Sequence, residues 1–185
     1  MKIDVKGKIC VVTGSTKGIG KGIAEALADN GGTVVICSRK QNECDAVAAE
    51  IREKYGVDAI GVSADITKTE AIENLFNTVM EKYGRVDVLV NNAGSAITKR
   101  AEELTEEDFD HVLALDLRAV FFCSQAAGKI MIKQKSGKII SIASVLGVVA
   151  DKQVLPYCVA KGGVLQMTRA LALEWAKYNI QVNAI

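Results

Sequence analysis

Short apolar runs alternate regularly with longer amphipathic segments along this chain, and this alternation leaves few possible folds. The first run, KICVVTG, is apolar at successive positions, which is typical of a strand buried on both faces of a sheet. The next segment, IGKGIAEALADNGG, carries apolar residues at helical spacing and ends in glycines. Because parallel strands are joined by crossover helices, the alternation predicts an α/β doubly wound fold, in which helices flank both faces of a parallel sheet.

The same alternation continues along the rest of the chain. Further strands are predicted at TVVICS, DAIGVSAD, VDVLVNNAG, GKIISIAS and IQVNAI. Helices are predicted at NECDAVAAEIREKYG, at TKTEAIENLFNTVMEKYG, from Thr105 to about Gln134 and from Pro156 to Lys177. Thr67 and Glu70 have the spacing of a capping box at the start of the third helix.

Neither a linker nor a tandem repeat interrupts this pattern, so residues 1–185 are predicted to form a single domain. The last residues, VNAI, lie inside an apolar strand, whereas a C-terminus usually lies in a polar segment at the surface. We therefore expect the working protein to continue beyond Ile185. On this expectation, the sixth strand is an exposed edge of the sheet in the present chain.

Composition and charge exclude several classes of protein. With a net charge of +1, 49% apolar and 24% charged residues, the chain is expected to be globular, with neither nucleic acid nor membrane as a partner. It has no signal-peptide core and no apolar run long enough to span a bilayer. The five cysteines include no C-x-x-C pair and are expected to be free thiols in a reducing cytoplasm. The single histidine, His111, excludes an H-E-x-x-H zinc site and is predicted to be exposed; no metal is predicted.

A glycine-rich turn, TGSTKGIG, follows the first strand and opens the first helix. Gly14, Gly18 and Gly20 allow a sharp turn and a close approach of backbone N–H groups to a pyrophosphate. Ser15, Lys17 and Ile19 complete the predicted cofactor-binding loop. The alternative is an ordinary glycine-rich turn, which is disfavoured because the later elements also fit a dinucleotide site.

The end of the second strand favours NADP(H) over NAD(H). Enzymes that prefer NAD place an acidic residue there to bind the ribose 2′-hydroxyl, whereas this chain has Ser38, Arg39 and Lys40. Lys17 adds another positive charge, and a guanidinium suits a 2′-phosphate through charge-assisted hydrogen bonds. Ordinary solvated charges are the alternative, but the missing carboxylate argues for the phosphate.

Tyr157 and Lys161 lie four residues apart in LPYCVAKGG and share one face of the last predicted helix. A tyrosine that exchanges protons near neutral pH must have its pKa lowered by ~3 units from ~10, which corresponds to about 4 kcal/mol. One ammonium at ~4 Å supplies about 4 kcal/mol at an effective dielectric constant of ~20. A single lysine is therefore sufficient in principle, although an isolated Y-x-x-x-K pattern would by itself favour an ordinary surface pair.

In combination, the glycine-rich loop, NNAG (Asn91 to Gly94), SIAS with Ser144 and YCVAK resemble the short-chain dehydrogenase/reductase family, classical subfamily, in order and spacing. The resemblance implies a Rossmann sheet and hydride transfer between a nicotinamide and a carbonyl or alcohol. It implies that Tyr157 is the general acid/base and that Ser144 polarises the substrate carbonyl. It also implies that Lys161 favours the ionised tyrosine and holds the nicotinamide ribose.

The resemblance extends to the cofactor, the substrate and the oligomer. It implies cofactor contacts at Asp65, Ile66, Asn92 and Gly94, and a bracing role in the sheet for Asn91. The run MTRALALEWAKYNIQVNAI is similar to bacterial members that act on sugar acids and polyols and to 3-oxoacyl-(acyl-carrier-protein) reductases, so we expect a small polar carbonyl or alcohol substrate. A homodimer or homotetramer is expected by resemblance. Family members continue after VNAI with segments that select the substrate.

One residue departs from the family's pattern. The family has a fourth catalytic residue, an asparagine that helps to hold a water relaying protons to the lysine, and the matching stretch ALDLRAVFF has Asp116 at that position. An ionised aspartate only accepts hydrogen bonds. It could still hold the water, or it could neutralise Lys161 and weaken its effect on Tyr157. We expect activity that persists but is reduced or shifted in pH; a dinucleotide-binding sensor or partner protein with little turnover is the alternative function.

Overall fold

The computed structural model describes residues 4–185. Within them, six parallel strands form one sheet in the order β3-β2-β1-β4-β5-β6. The strands are β1 Ile9–Thr13, β2 Thr33–Ser38, β3 Ala59–Ser63, β4 Val88–Asn91, β5 Gly137–Ser141 and β6 Ile180–Ala184. Successive strands run outward from β1 on one side and then from β4 on the other. The direction of winding therefore reverses between β1 and β4, and a crevice opens beyond their carboxyl ends.

Helices cover both faces of this sheet, as the alternating pattern predicts. They are α1 Gly18–Asp29, α2 Gln41–Tyr55, α3 Thr69–Tyr83, α4 Glu106–Leu113, α5 Ala119–Gln134 and α6 Leu155–Trp175. Alternate residues of β1 reach opposite cores, because side chains alternate along a strand. Cys10 and Val12 pack with α1 and α2, whereas Ile9 and Val11 pack with α3, α5 and α6.

The connection between β4 and β5 contains an irregular turn. The predicted helix from Thr105 to Gln134 is present, but a five-residue π turn, Ala114–Arg118, joins α4 to α5. Such turns widen the helix locally and frequently occur at functional sites. Here the turn carries Asp116, whose side chain is fully buried.

The predicted capping box of Thr67 and Glu70 is wrong. The third helix begins at Thr69, and Lys68 precedes it without a side-chain capping hydrogen bond within the described chain. The hydroxyl of Thr67 donates instead to the carboxylate of Asp65, 2.7 Å away. A capping box does form at α4, where Thr105 and Asp108 exchange hydrogen bonds.

The remaining predictions about the surface agree with the structure. The last strand, β6, lies at an edge of the sheet and His111 is exposed on α4. All the cysteines are unpaired in the described chain, and only Cys158 is partly exposed. No helix within residues 4–185 is long and apolar enough to span a bilayer.

Candidate active site

The predicted site residues meet along the carboxyl edge of the sheet. Each lies in the segment that follows a strand, or near the start of α6 for Tyr157 and Lys161. These residues are 14–20 after β1, Ser38 at the end of β2 with Arg39 after it, 65–66 after β3, 92–94 with Asp116 after β4, and Ser144 after β5. A parallel sheet brings these segments together because all its strands end at the same edge.

The loop after β1 has the close packing that its glycines predict. Gly14 and Gly18 have positive φ angles of 64° and 57°, in the left-handed region that favours glycine. A Cβ atom on Gly20 would collide with the carbonyl oxygen of Gly14 and the side-chain amide of Asn92. The Asn92 amide donates to the carbonyl oxygens of Thr13 and Gly14, so the loop is fixed against β4.

Ser15 fixes the other side of the loop. Its buried hydroxyl donates to the Val12 carbonyl and accepts the Cys37 N–H, and its own N–H donates to the Cys37 carbonyl. The serine is therefore used to hold the loop against β2 and has no donor left for a ligand. The first N–H groups of α1, from Gly18 onward, lack intrahelical acceptors and create a positive end at the crevice.

The segment after β2 presents positive charge to solvent. The side chains of Arg39 and of Lys17, which directly precedes α1, are exposed and make no hydrogen bond or ion pair within residues 4–185. The ammonium of Lys40, in contrast, lies 2.8 Å from the Glu43 carboxylate. The Lys40 hydrogen bond, with Lys17 and Arg39 nearby, lowers the pKa of Glu43. Two of the three cations are thus free to meet an anionic ligand.

After β3, Asp65 is held in a fixed orientation. Its Oδ1 atom accepts the N–H and the hydroxyl of Thr67 at 3.2 and 2.7 Å, and these bonds lower the pKa of Asp65. The side chain of Ile66 is buried in the core against α3 rather than exposed to the crevice. Its contribution to a cofactor site would therefore come from the backbone.

Lys161 and Tyr157 occupy one face of α6, as predicted. The Lys161 side chain is only 5% exposed, and its ammonium donates to the Ile142 carbonyl at 2.8 Å. The same ammonium lies 5.3 Å from the centre of the Tyr157 ring. On the segment after β5, Ser144 accepts the Leu146 N–H at 3.1 Å, so its own hydroxyl hydrogen is free to be donated.

Asp116 contacts the same lysine. Its Oδ1 atom lies 3.4 Å from the Lys161 ammonium, and its Oδ2 atom accepts the Ser95 N–H at 2.8 Å. Burial raises the pKa of Asp116, while the Ser95 N–H and Lys161 act in the opposite direction. A Cβ atom on Gly94 would lie 2.5 Å from Oδ1, so only glycine leaves room for this carboxylate.

Several contributors to the site were not predicted from the sequence. The Ser95 N–H and the Ile142 carbonyl contribute through the backbone, so their side chains do not reveal them in the sequence. Ser95 does directly follow NNAG. The predicted bracing role of Asn91 is confirmed, because its amide donates to Ser124 on α5 and Ser141 on β5. Those two serines were missed, since only the fold brings them next to β4.

This arrangement can be compared with known proteins. The family model described as short chain dehydrogenase matches residues 8–185. The chain belongs to the short-chain dehydrogenase/reductase family. It is 39% identical over 182 residues to the NAD-dependent glycerol dehydrogenase of Listeria innocua, covering 98% of this chain and 70% of that protein. It is 39% identical over 185 residues to a 3-oxoacyl-(acyl-carrier-protein) reductase of Aquifex aeolicus, covering 100% and 75%.

Solved structures of this family agree with the fold. A gluconate 5-dehydrogenase from Burkholderia cenocepacia in complex with NADP and tartrate has a TM-score of 0.95 at 30% identity, covering 99% of this chain and 71% of that chain. A NAD⁺-bound xylitol dehydrogenase has a TM-score of 0.94 at 32% identity, covering 98% and 70%. The predicted Rossmann fold and enzyme class are confirmed. This dehydrogenase/reductase is an NAD(P)-dependent oxidoreductase that acts on CH–OH or C=O groups.

The residues present fit a nicotinamide dinucleotide. The cradle formed by Gly14 and Gly20 leaves no room for a side chain, and the N–H groups at the start of α1 suit a pyrophosphate. The free cation of Lys17 lies directly before α1, and that of Arg39 lies at the end of the neighbouring strand β2. On the other side of the crevice, beyond β4, lie Ser144, Tyr157 and Lys161.

Proposed function

We propose that this dehydrogenase/reductase transfers hydride between NADP(H) and a small polar carbonyl or alcohol, with Tyr157 as the general acid/base. The observation that carries the proposal is the buried ammonium of Lys161 beside the partly exposed Tyr157 ring. The Ile142 carbonyl holds this ammonium in place, 5.3 Å from the centre of the ring.

The cofactor supplies or accepts the hydride, and the protein residues manage the proton and the developing charge. In reduction, Tyr157 donates its proton to the carbonyl oxygen, and in oxidation the tyrosinate removes the hydroxyl proton. Ser144 donates a hydrogen bond to the same oxygen, because its hydroxyl accepts the Leu146 N–H and its hydrogen has no acceptor within the described chain. The two hydroxyl groups together stabilise the alkoxide, as the donors of an oxyanion hole do.

The charges after β2 support a preference for NADP(H). Arg39 and Lys17 are free and exposed, and no carboxylate occupies the position that binds the ribose 2′-hydroxyl in NAD-preferring enzymes. Arg39 suits a 2′-phosphate through charge-assisted hydrogen bonds. Lys40 contributes less because Glu43 already neutralises it.

The names of similar proteins support a small polar substrate. They include a 2-dehydro-3-deoxy-D-gluconate 5-dehydrogenase of Escherichia coli, at 40% identity, and a D-threitol dehydrogenase of Mycolicibacterium smegmatis, at 35% identity. These proteins act on compounds that carry several hydroxyl groups. We infer that the substrate of this enzyme belongs to the same chemical class.

The cellular setting and assembly belong to the same proposal. Unpaired cysteines throughout the described chain are consistent with a reducing cytoplasm. Leu173 on α6 is 82% exposed, and burial of such an apolar side chain would favour a homodimer or homotetramer through this helix.

A fluorescence titration with NADPH and, separately, NADH tests the cofactor proposal. We expect NADPH to bind at least about tenfold more tightly than NADH, because a lost charge-assisted contact costs about 1.5–3 kcal/mol. The Arg39→Ala variant should remove most of this difference, whereas Arg169→Ala, an exposed arginine on α6, should not change it. Equal affinities for the two dinucleotides in the unaltered chain would contradict the NADP(H) preference.

A further inference from the structure

The π turn carries a second side chain that reaches across the molecule. The Arg118 guanidinium donates to the Thr67 carbonyl at 2.9 Å and to the Thr69 hydroxyl at 3.1 Å. It also lies over the Phe122 ring, 4.6 Å from the ring centre. An exposed arginine with two hydrogen bonds and an aromatic contact has a defined orientation, unlike a solvated surface charge.

The segment that Arg118 holds is the loop between β3 and α3. Thr67 lies at its centre: its carbonyl accepts from Arg118, and its N–H and hydroxyl donate to Asp65. The loop is also tied to β2, because the Ala64 N–H donates to the Ser38 carbonyl at 2.8 Å. Arg118 therefore stabilises the same three-residue turn that orients the Asp65 carboxylate.

The position of this loop connects it with the proposed cofactor. The strands β3 and β2 are neighbours, so Asp65 lies beside the free Arg39 at the carboxyl edge, and the Arg39 charge contributes to the lowered pKa of Asp65. A dinucleotide whose pyrophosphate lies at the start of α1 extends its adenosine half over these strand ends. The π turn itself contacts the other half of the site, because Asp116 reaches Lys161.

We propose that Arg118 is a positioning residue for the adenosine half of the cofactor. It acts through Thr67 by fixing the loop 64–68, and it touches neither the reacting atoms nor the dinucleotide. The inference rests on the proposed function, because it requires a dinucleotide at the carboxyl edge. On this proposal the π turn contributes to both halves of the site. Asp116 contacts Lys161, and Arg118 binds the loop on the adenosine side.

The test is cofactor affinity measured separately from turnover. In Arg118→Met the guanidinium is lost and an unbranched apolar side chain remains against Phe122. We expect the dissociation constant for NADPH to rise about three- to tenfold, as the loss of one or two net hydrogen bonds implies. The dissociation constant for adenosine 2′,5′-bisphosphate should rise by the same factor. The kcat at saturating NADPH should stay within about twofold, because Ser144, Tyr157 and Lys161 are untouched.

Three further variants separate positioning from a general structural role. Arg118→Lys keeps one donor and should restore part of the affinity. Arg169→Met, which removes an exposed arginine hydrogen-bonded only to Gln166 in the described chain, should leave affinity unchanged. Thr67→Val removes the hydroxyl that holds Asp65 and should weaken NADPH binding by a similar factor. The double variant should lose less than the product of the two factors, since both act through one loop.

Each contrary result has a defined meaning. An unchanged dissociation constant in Arg118→Met, even with a lower thermal midpoint, would overturn the inference and leave the proposed function intact. Independent, multiplicative effects of Arg118→Met and Thr67→Val would also overturn it. Failure of the unaltered chain to bind either NADPH or NADH would overturn both the inference and the proposed function.

Discussion

Replacing Asp116 by asparagine removes a buried negative charge from beside Lys161 and nearly preserves the shape of the side chain. The carboxylate lies 3.4 Å from the Lys161 ammonium, so the two charges attract by about 5 kcal/mol at an effective dielectric constant of ~20. The same ammonium lies 5.3 Å from the centre of the Tyr157 ring, so the charge of Asp116 also acts on the surroundings of Tyr157.

In the proposed function, Tyr157 takes the proton of the alcohol during oxidation, and the Lys161 ammonium lies beside its ring. The Asp116 carboxylate offsets part of the positive charge of Lys161 at this place. We therefore expect Asp116→Asn to raise kcat/KM for alcohol oxidation at neutral pH by about tenfold, which corresponds to about 1.4 kcal/mol. Lys161 stays in place because the Ile142 carbonyl still accepts from it.

The assay is kcat/KM for alcohol oxidation at neutral pH in the unaltered chain and in Asp116→Asn. The NADPH dissociation constant serves as a control for an intact site, and Asp29→Asn, at the C-terminal end of α1, is the matched variant with an exposed carboxylate. An unchanged or lower kcat/KM in Asp116→Asn, with NADPH binding intact, would contradict this role of the Asp116 charge.

A second readout of the same substitution is the free energy of unfolding. Burial raises the pKa of Asp116, so the folded chain holds this proton to higher pH than the unfolded chain does. The contribution of Asp116 to the unfolding free energy must therefore decrease as pH rises from its ordinary pKa of 3.8 toward the raised value. This component of the pH dependence should be missing in Asp116→Asn.

Three further predictions concern the loop, the charge cluster and the thiols. Gly20→Ala should abolish cofactor binding while the chain still folds, as measured by titration and circular dichroism, because the added Cβ displaces the Gly14 carbonyl; retained affinity would contradict the cradle. Glu43→Gln should tighten NADPH binding severalfold without affecting NADH, since it frees Lys40 and removes a like charge from near the phosphate; an equal change for both dinucleotides would count against the charge cluster. Ellman's reagent should titrate only Cys158 in the native chain and all five thiols after denaturation; rapid reaction of more than one native thiol would contradict the packing.

The fold was predictable because its causes are local and repeated. A strand buried on both faces needs a continuous apolar run, and a crossover helix needs apolar residues at helical spacing. KICVVTG and IGKGIAEALADNGG meet these conditions, and they became β1 and α1. The glycine-rich loop was also predictable from local sequence, because the tight turn leaves no room for a side chain at Gly14 or Gly20.

The unpredicted contacts depend on residues that are distant in sequence. From the sequence alone, the hydroxyl of Thr67 could cap a helix or donate to Asp65. It donates to Asp65 in a loop whose Thr67 carbonyl accepts from the distant Arg118. The resemblance to the family showed that Asp116 replaces an asparagine. The distance between Asp116 and Lys161 depends on a π turn, however, and no pattern of residues predicted this turn.

In the proposed function, Tyr157 passes the proton to and from the substrate oxygen, beside the ammonium of Lys161. The most direct measurement compares NADPH oxidation with a panel of small polyhydroxy ketones in the unaltered chain, in Tyr157→Phe and in Tyr178→Phe, a partly exposed tyrosine beyond α6. We expect Tyr157→Phe to lower kcat by about 100-fold or more and to leave the NADPH dissociation constant within about twofold, while Tyr178→Phe changes neither. Turnover by Tyr157→Phe at the rate of the unaltered chain would contradict the role of Tyr157 as general acid/base.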